Sequence, residues 1–360
     1  MSGALLLTGG TGFLGMELIA RMLETSDGPD VYLAVRARDM EGARGRVDEI
    51  LGQLYESWPD AVERLRPMPA ELTADGLGLR SRDREELRAN VDRVVHCAAS
   101  ISFTLPLEEA REINVHGTRR VMELARTLPQ LERFVHVSTA YVAGRAPSLF
   151  TEDDAGGSSF RNTYEQTKLE AEIAVTQASD LPTAIVRPSI VVGESDSGWT
   201  SAFNVLYWPL QAFTRGLLDT VPADPDGVVD MVPVDHVAEV IERVTFAQQA
   251  SGRFHAVAAE RAPSVKELIE EICREMDRPV PGLSEPGTLP ADHPAGIFAA
   301  YFDVKTRFDD RRARGLLGEP APEPFDYLPQ VLEYARAARW GKRMLSREAA
   351  RSRAAQTAST

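Results

Sequence analysis

A short apolar run at 4–8, ALLLT, leads straight into the glycine-rich stretch TGGTGFLG at 8–15, and a helical pattern begins at once. Strand, glycine turn and helix in that order limit the architectures open to the chain. Gly9, Gly12 and Gly15 stand in G-x-x-G-x-x-G spacing. Glycine permits a tight turn and lets backbone approach a pyrophosphate, and the helix that follows offers free N–H groups and the positive end of its dipole. The bland alternative is a glycine-rich turn with no ligand. The strand–loop–helix context favours the nucleotide-binding reading.

The rest of the first half keeps the alternation. Short β-branched or leucine-rich runs at 31–36, 93–98, 133–139 and 183–191 read as further strands, with helical patterns between them. Leu107, Ala110, Ile113, Val121, Leu124 and Leu128 fall roughly on one helical face. Such alternation predicts an α/β fold of the Rossmann type, a doubly wound parallel sheet covered on both faces, with a smaller C-terminal substrate-binding region. The expected partition is a dinucleotide-binding domain over 1–192 plus about 228–260. The substrate region takes about 193–227 plus 261–330, and residues 331–360 form a basic helix or tail. Within this scheme 231–244 reads as a short strand and a helix opening near Asp235. Residues 252–260 read as a strand, and 264–276 as a helix in which Ser264 and Glu267 make a capping box.

Composition removes several function classes. The net charge of −14 argues against general nucleic-acid binding. Two cysteines, Cys97 and Cys273, are too few for a disulfide framework, and with no signal-peptide pattern the expected compartment is the cytoplasm. Cys97 reads as a small buried hydrophobe. The six histidines show no metal-ligand spacing, and no run is long enough to span a bilayer. The tail sets seven basic residues, from Arg336 to Arg353, against Glu348. It reads as a solvated helix or as a peripheral contact for an anionic carrier protein or lipid surface.

The second strand ends in Arg36, with Arg38 and Arg46 following. An acid at this point would hold the ribose hydroxyls of NAD, whereas a guanidinium suits a phosphate, so the expected cofactor is NADPH. Surface arginines neutralised by Asp39 are the alternative. Tyr164 and Lys168 in NTYEQTKLEAE are four residues apart on a helical pattern and share a face. A neighbouring ammonium would lower the tyrosine pKa from about 10 toward the range useful for proton transfer. Alone the pair is weak evidence. Ser138 and Thr139 end the preceding strand in HVSTAYVAG, and Asn114 lies in INVHGT before that strand.

Glycine loop, hydroxyl, phenol, ammonium and carboxamide in this order resemble the extended short-chain dehydrogenase/reductases over roughly residues 4–260. TGGTGFLG, the arginine-terminated second strand, STAYVAG, NTYEQTKLEAE and VRPSIVVGESDSGWTSAFN resemble the fatty acyl-CoA reductase and thioester reductase branch. That branch includes reductase domains of carboxylic acid reductases and terminal reductases of peptide and polyketide synthetases. The resemblance implies NADPH-dependent reduction of an acyl thioester, carried by CoA or an acyl carrier protein, to an aldehyde, with further reduction to an alcohol left open. It implies Thr139, Tyr164 and Lys168 as catalytic residues, with Asn114 supporting the lysine through a water. It implies cofactor contacts at Gly9, Thr11, Gly12, Phe13, Leu14, Gly15, Arg36, Arg46, Leu72, Ala98, Lys168 and Pro188. The branch often carries Gly-Asp-Leu near the end of the third strand, where this chain has Ala70, Glu71 and Leu72. The aromatic run with Trp199, Phe203, Tyr207, Trp208 and Phe213 suits an acyl chain or a pantetheine arm, or else packs a helix on the core. A sugar-nucleotide epimerase or dehydratase, a hydroxysteroid-type dehydrogenase and a non-catalytic NADPH sensor are the competing readings.

Overall fold

The computed structural model describes residues 3–146, 148–203, 206–207, 210–211, 220–286 and 301–358. The chain divides into two compact units. The first comprises 1–142, 162–187 and 237–254, and the second 143–161, 188–236 and 255–360.

The described strands are β1 (Ala4–Thr8), β2 (Val31–Arg36), β3 (Leu65–Ala70), β4 (Val91–His96), β5 (Arg133–Val137), β6 (Leu149–Phe150), β7 (Thr183–Pro188), β8 (Ile190–Val192), β9 (Thr220–Pro222), β10 (Met231–Pro233), β11 (Gly252–Ala256), β12 (Gly282–Ser284) and β13 (Arg307–Phe308). The main sheet has the order β3-β2-β1-β4-β5-β7-β11, and every pairing from β3 to β7 is parallel. This is the doubly wound Rossmann arrangement. The order reverses between β1 and β4, and in such sheets the crevice beyond the carboxyl ends of those strands takes the ligand. β1 and β5 are buried at every residue, as strands covered on both faces must be.

The helices of this region are α1 (Phe13–Glu24), α2 (Met40–Leu54), α3 (Ser81–Asn90), α4 (Leu107–Arg111), α5 (Gly117–Arg126) and α6 (Thr163–Gln177). On one face of the sheet, Leu6, Tyr32, Val94 and Phe134 pack with Leu87, Val121, Met122, Leu124 and Val175 in a single buried cluster. Between α4 and α5 lies one π-helical turn, Glu112–His116, which the one-face pattern at 107–128 does not reveal.

β3 does not show in the hydrophobic pattern, which Pro67 and Pro69 interrupt, and only the family resemblance locates it. It is an edge strand, where proline is tolerated because one side of the backbone needs no ladder partner. The run at 183–191 is not one strand but two. Pro188 closes β7, the Ser189 N–H turns to Ala256 O at 3.1 Å, and β8 pairs instead with β10.

Described helices of the second unit include α7 (Val234–Phe246), whose first residues belong to it, α8 (Val265–Glu275), α9 (Arg311–Leu317), α10 (Pro324–Ala337) and α11 (Arg347–Ala358). The Ser264–Glu267 capping box opens α8. The basic tail is partly tied into this unit. Arg347, 2 % exposed, and Arg351 both pair with buried Glu194, and Arg353 pairs with Glu333. Burial pushes the Glu194 carboxyl up, but the Arg351 hydrogen bond and the two guanidinium charges outweigh it and hold it below the ordinary carboxylate value. Trp199 is fully buried, Phe203 packs edge-on to Tyr207 at 5.0 Å, and the Tyr207 hydroxyl accepts from Gly193 N. These three aromatics of the 199–213 run are therefore packing residues of this unit. Trp208 and Phe213 lie outside the described residues.

Candidate active site

The glycine loop joins β1 to α1. Gly9 has φ +78°, and a Cβ there would lie 2.5 Å from Ala98 N and 2.7 Å from Cys97 C. A Cβ on Gly15 would lie 2.2 Å from Gly9 O. Both positions demand glycine, one for its conformation and one for the close passage of the loop over its helix. Gly12 is the N-cap of α1, with no side chain capping the helix and no acid in its first turn. Thr11 and Gly12 are exposed, and Phe13 and Leu14 are partly exposed. An uncapped, acid-free helix start at the strand-order reversal fits an anionic diphosphate.

Arg36 is the last residue of β2 and is exposed, and its carbonyl accepts from Arg46 Nη1 at 2.9 Å. Among the described residues neither Arg36, Arg38 nor Arg46 is in an ion pair. Asp39 does not neutralise them. Its side chain caps α2 by accepting from Gly42 N at 2.8 Å. Leu72 lies two residues past β3, and its carbonyl accepts from Arg120. Ala98 lies two residues past β4, and its N–H reaches Thr8 Oγ1 at 3.3 Å. Pro188 ends β7, away from the glycine loop in sheet order.

Thr139 follows β5, and Tyr164 and Lys168 lie in the first half of α6, which Asn162 caps through Glu165 N. The Thr139 side chain lies against the Tyr164 phenol. Lys168 is 2 % exposed, and its Nζ donates to Val137 O at 2.7 Å. Burial lowers the Lys168 pKa to about 8, while Cys97 and Glu172 pull the other way. The expected lowering of the tyrosine is not found. Burial raises the Tyr164 pKa well above its ordinary value, and the Thr139 hydrogen bond offsets only part of that. Tyr164 is therefore a neutral phenol near neutrality, able to donate its proton. Burial also pushes the Cys97 thiol up to about 11, so it is no nucleophile near neutrality.

Asn114 sits in the π turn and is fully engaged. Its Oδ1 accepts from Ser100 N at 2.7 Å, and its Nδ2 donates to Ser100 O and to Thr167 Oγ1, both at 3.0 Å. It thus ties the segment after β4 to the first half of α6. Thr163 Oγ1 holds the far end of that segment through Leu105 O at 2.9 Å. Between these anchors Ile101 is 59 % exposed, and the Phe103 ring lies 5.9 Å from that of Tyr164. Sequence reasoning missed this apolar strap. The alternation of Ile101, Phe103 and Leu105 was its only trace.

The profile of the male sterility protein family matches residues 7–241. The chain belongs to this family. It is 34 % identical over 268 residues to fatty acyl-CoA reductase 1 of Xenopus laevis, covering 64 % of this chain and 52 % of the relative. The chain therefore spans about half the length of the curated relatives it matches. Among solved structures, the terminal R domain of the myxalamid PKS-NRPS pathway superposes with a TM-score of 0.79 at 24 % identity, covering 95 % of this chain and 92 % of that one. A thiolation-reductase di-domain from an archaeal non-ribosomal peptide synthetase superposes with a TM-score of 0.76 at 19 % identity, covering 94 % and 76 %. At these identities both share the fold. No described helix is long and apolar enough to cross a membrane.

Proposed function

We propose that this protein reduces an acyl thioester to an aldehyde with NADPH. The observation that carries the reading is the approach of the Thr139 side chain to Tyr164, one turn of α6 from the buried Lys168, at the carboxyl end of β5. A reductase needs a proton donor where negative charge develops on the carbonyl oxygen. A phenol that burial keeps neutral is such a donor, and Thr139 offers a second O–H to the same oxygen. The product is the aldehyde together with the free thiol of the carrier.

NADPH would be held by the glycine loop and α1 start at its diphosphate, by Arg36 with Arg46 at its ribose phosphate, and by Lys168 at its nicotinamide ribose. Thr11, Phe13, Leu14, Leu72, Ala98 and Pro188 are proposed as its remaining contacts. When bound, the reduced nicotinamide supplies the hydride. Lys168, with its proton held loosely at about 8, is poised to orient that ribose and to tune Tyr164. Phe103 and Ile101 offer apolar surface to the acyl group next to the reacting carbonyl. Both carrier types are proposed, acyl-CoA from the named reductase relative and a carrier protein from the thiolation-reductase neighbour. The free cysteines suit a reducing cytoplasmic setting.

The test is to follow NADPH absorbance with a panel of acyl-CoA and acyl-carrier-protein thioesters while identifying the product. Consumption with aldehyde or alcohol formation supports the reading. Turnover of a sugar nucleotide without net NADPH loss would replace it with an epimerase.

A further inference from the structure

The carboxyl ends of β1 and β4 are joined by a histidine that the proposed reaction does not use. Thr8 and His96 are register partners, and each is 1 % exposed, as is Thr118 on α5. His96 Nδ1 lies 2.7 Å from Thr8 Oγ1, and its Nε2 lies 3.0 Å from Thr118 Oγ1. The proton positions follow from the ends of this chain. Thr118 Oγ1 lies 2.6 Å from the Asn114 carbonyl, which can only accept, so the Thr118 proton is spent there. Thr118 must then accept from His96, which places the ring proton on Nε2. Nδ1 is left as an acceptor and takes the Thr8 hydroxyl proton, while Thr8 Oγ1 accepts from Ala98 N–H.

We infer that His96 is a positioning residue. As the neutral Nε2–H tautomer it is the central link of a one-way hydrogen-bond chain from Ala98 N–H through Thr8, His96 and Thr118 to Asn114. The chain couples the carboxyl end of β1 to the π turn and, through it, to α6, which are remote in sequence. One end holds the residue before Gly9 and the backbone over which Gly9 turns. The other ends on Asn114, whose carboxamide fixes Ser100 and, through Thr167, the turn of α6 carrying Tyr164. An imidazolium would break the direction of the chain, because both ring nitrogens would donate and the Thr8 proton would lose its acceptor. The surroundings keep the ring neutral. The His136 ring on β5 lies tilted against it at 5.5 Å, and Lys168 on α6 adds positive charge. Burial first, and Lys168 second, lower the His96 pKa to about 3.

The kinetic half of this inference rests on the proposed reaction, whereas the tautomer does not. In protein labelled with 15N-histidine, two-bond 1H–15N correlation spectra read the tautomer of each of the six histidines, and contacts to Thr8 and Thr118 protons identify His96. The expected result is Nε2–H in the native protein, unchanged from pH 8 to about pH 5. Thr118→Val leaves the Nε2 proton without its acceptor and should shift the His96 Nε2 nitrogen and proton resonances, and Thr118→Ser should restore them. In NADPH turnover, Thr118→Val should lower kcat about tenfold at nearly constant cofactor KM. Thr8→Val should raise the cofactor KM by about tenfold, and an NADPH fluorescence titration reads the same shift without turnover. An Nδ1–H or imidazolium signal in the native protein overturns the inference. So does wild-type kcat and KM in both valine variants when circular dichroism shows them folded. A native protein that reduces no thioester defeats the reaction reading alone, because the spectra and the titration still decide the chain.

Discussion

The two halves of α6 treat buried charge in opposite ways. In the second half Glu172, 1 % exposed, receives three hydrogen bonds of 2.6–3.1 Å from Arg187, 0 % exposed. One turn earlier Lys168 is as deeply buried, but its Nζ meets a backbone carbonyl, and no described carboxylate pairs with it. A paired charge is fixed and stabilises the scaffold, whereas an unpaired one carries a shifted pKa and is free to meet a ligand. One helix thus holds a structural end and the end proposed to carry the chemistry.

The largest expected effect lies at the chemical end. Tyr164→Phe should lower thioester turnover by about 10²–10⁴-fold while NADPH affinity, read by fluorescence titration, stays nearly unchanged. Near-normal turnover would remove Tyr164 from the proposed chemistry. The structural end should answer in stability instead. Glu172→Ala should cost about 3–5 kcal/mol in denaturant unfolding by removing the carboxylate that Arg187 pairs with, and a Glu172→Leu/Arg187→Met double variant should recover most of that loss. If Glu172→Ala unfolds like the native protein, the contrast within α6 disappears.

The arginine proposed to hold the ribose phosphate comes next. Arg36→Ala should raise the KM for NADPH about ten- to hundredfold and leave that for NADH unchanged. Equal losses with both cofactors would sink the NADPH assignment.

A smaller effect follows from titration of Lys168. The unfolded chain keeps that proton to pH 10.5, and the folded one releases it at about 8. Between those values the unfolded state binds more protons, so stability should rise with pH by up to about 3 kcal/mol. The rise should be absent in Lys168→Met, and parallel curves for the two proteins would refute the shifted lysine. The smallest effect is at the strap, where Phe103→Ala should alter the ratio of long- to short-chain kcat/KM by about two- to tenfold.

The alternation of strands and helices, the glycine loop, the capping box and the i, i+4 placement of Tyr164 and Lys168 were legible in the sequence. Each is a local pattern fixed by backbone period or by glycine's conformational range. The residues after Lys168, in contrast, read as ordinary polar helix. Glu172 looks like any exposed acid until β7 brings Arg187 against it, 15 residues further along the chain. Lys168 gives no sign in sequence that its nitrogen is buried on Val137 O, and the rise of the Tyr164 pKa reverses the expectation drawn from the pair alone. His96 stands 88 residues from Thr8 and 22 from Thr118, and no spacing rule connects them. The sequence by itself determined which groups are present and which helical face or strand end carries them. Their protonation, pairing and direction were decided only by the tertiary structure. Desolvation and hydrogen-bond geometry depend on what the fold packs around a group, and those neighbours come from distant parts of the chain.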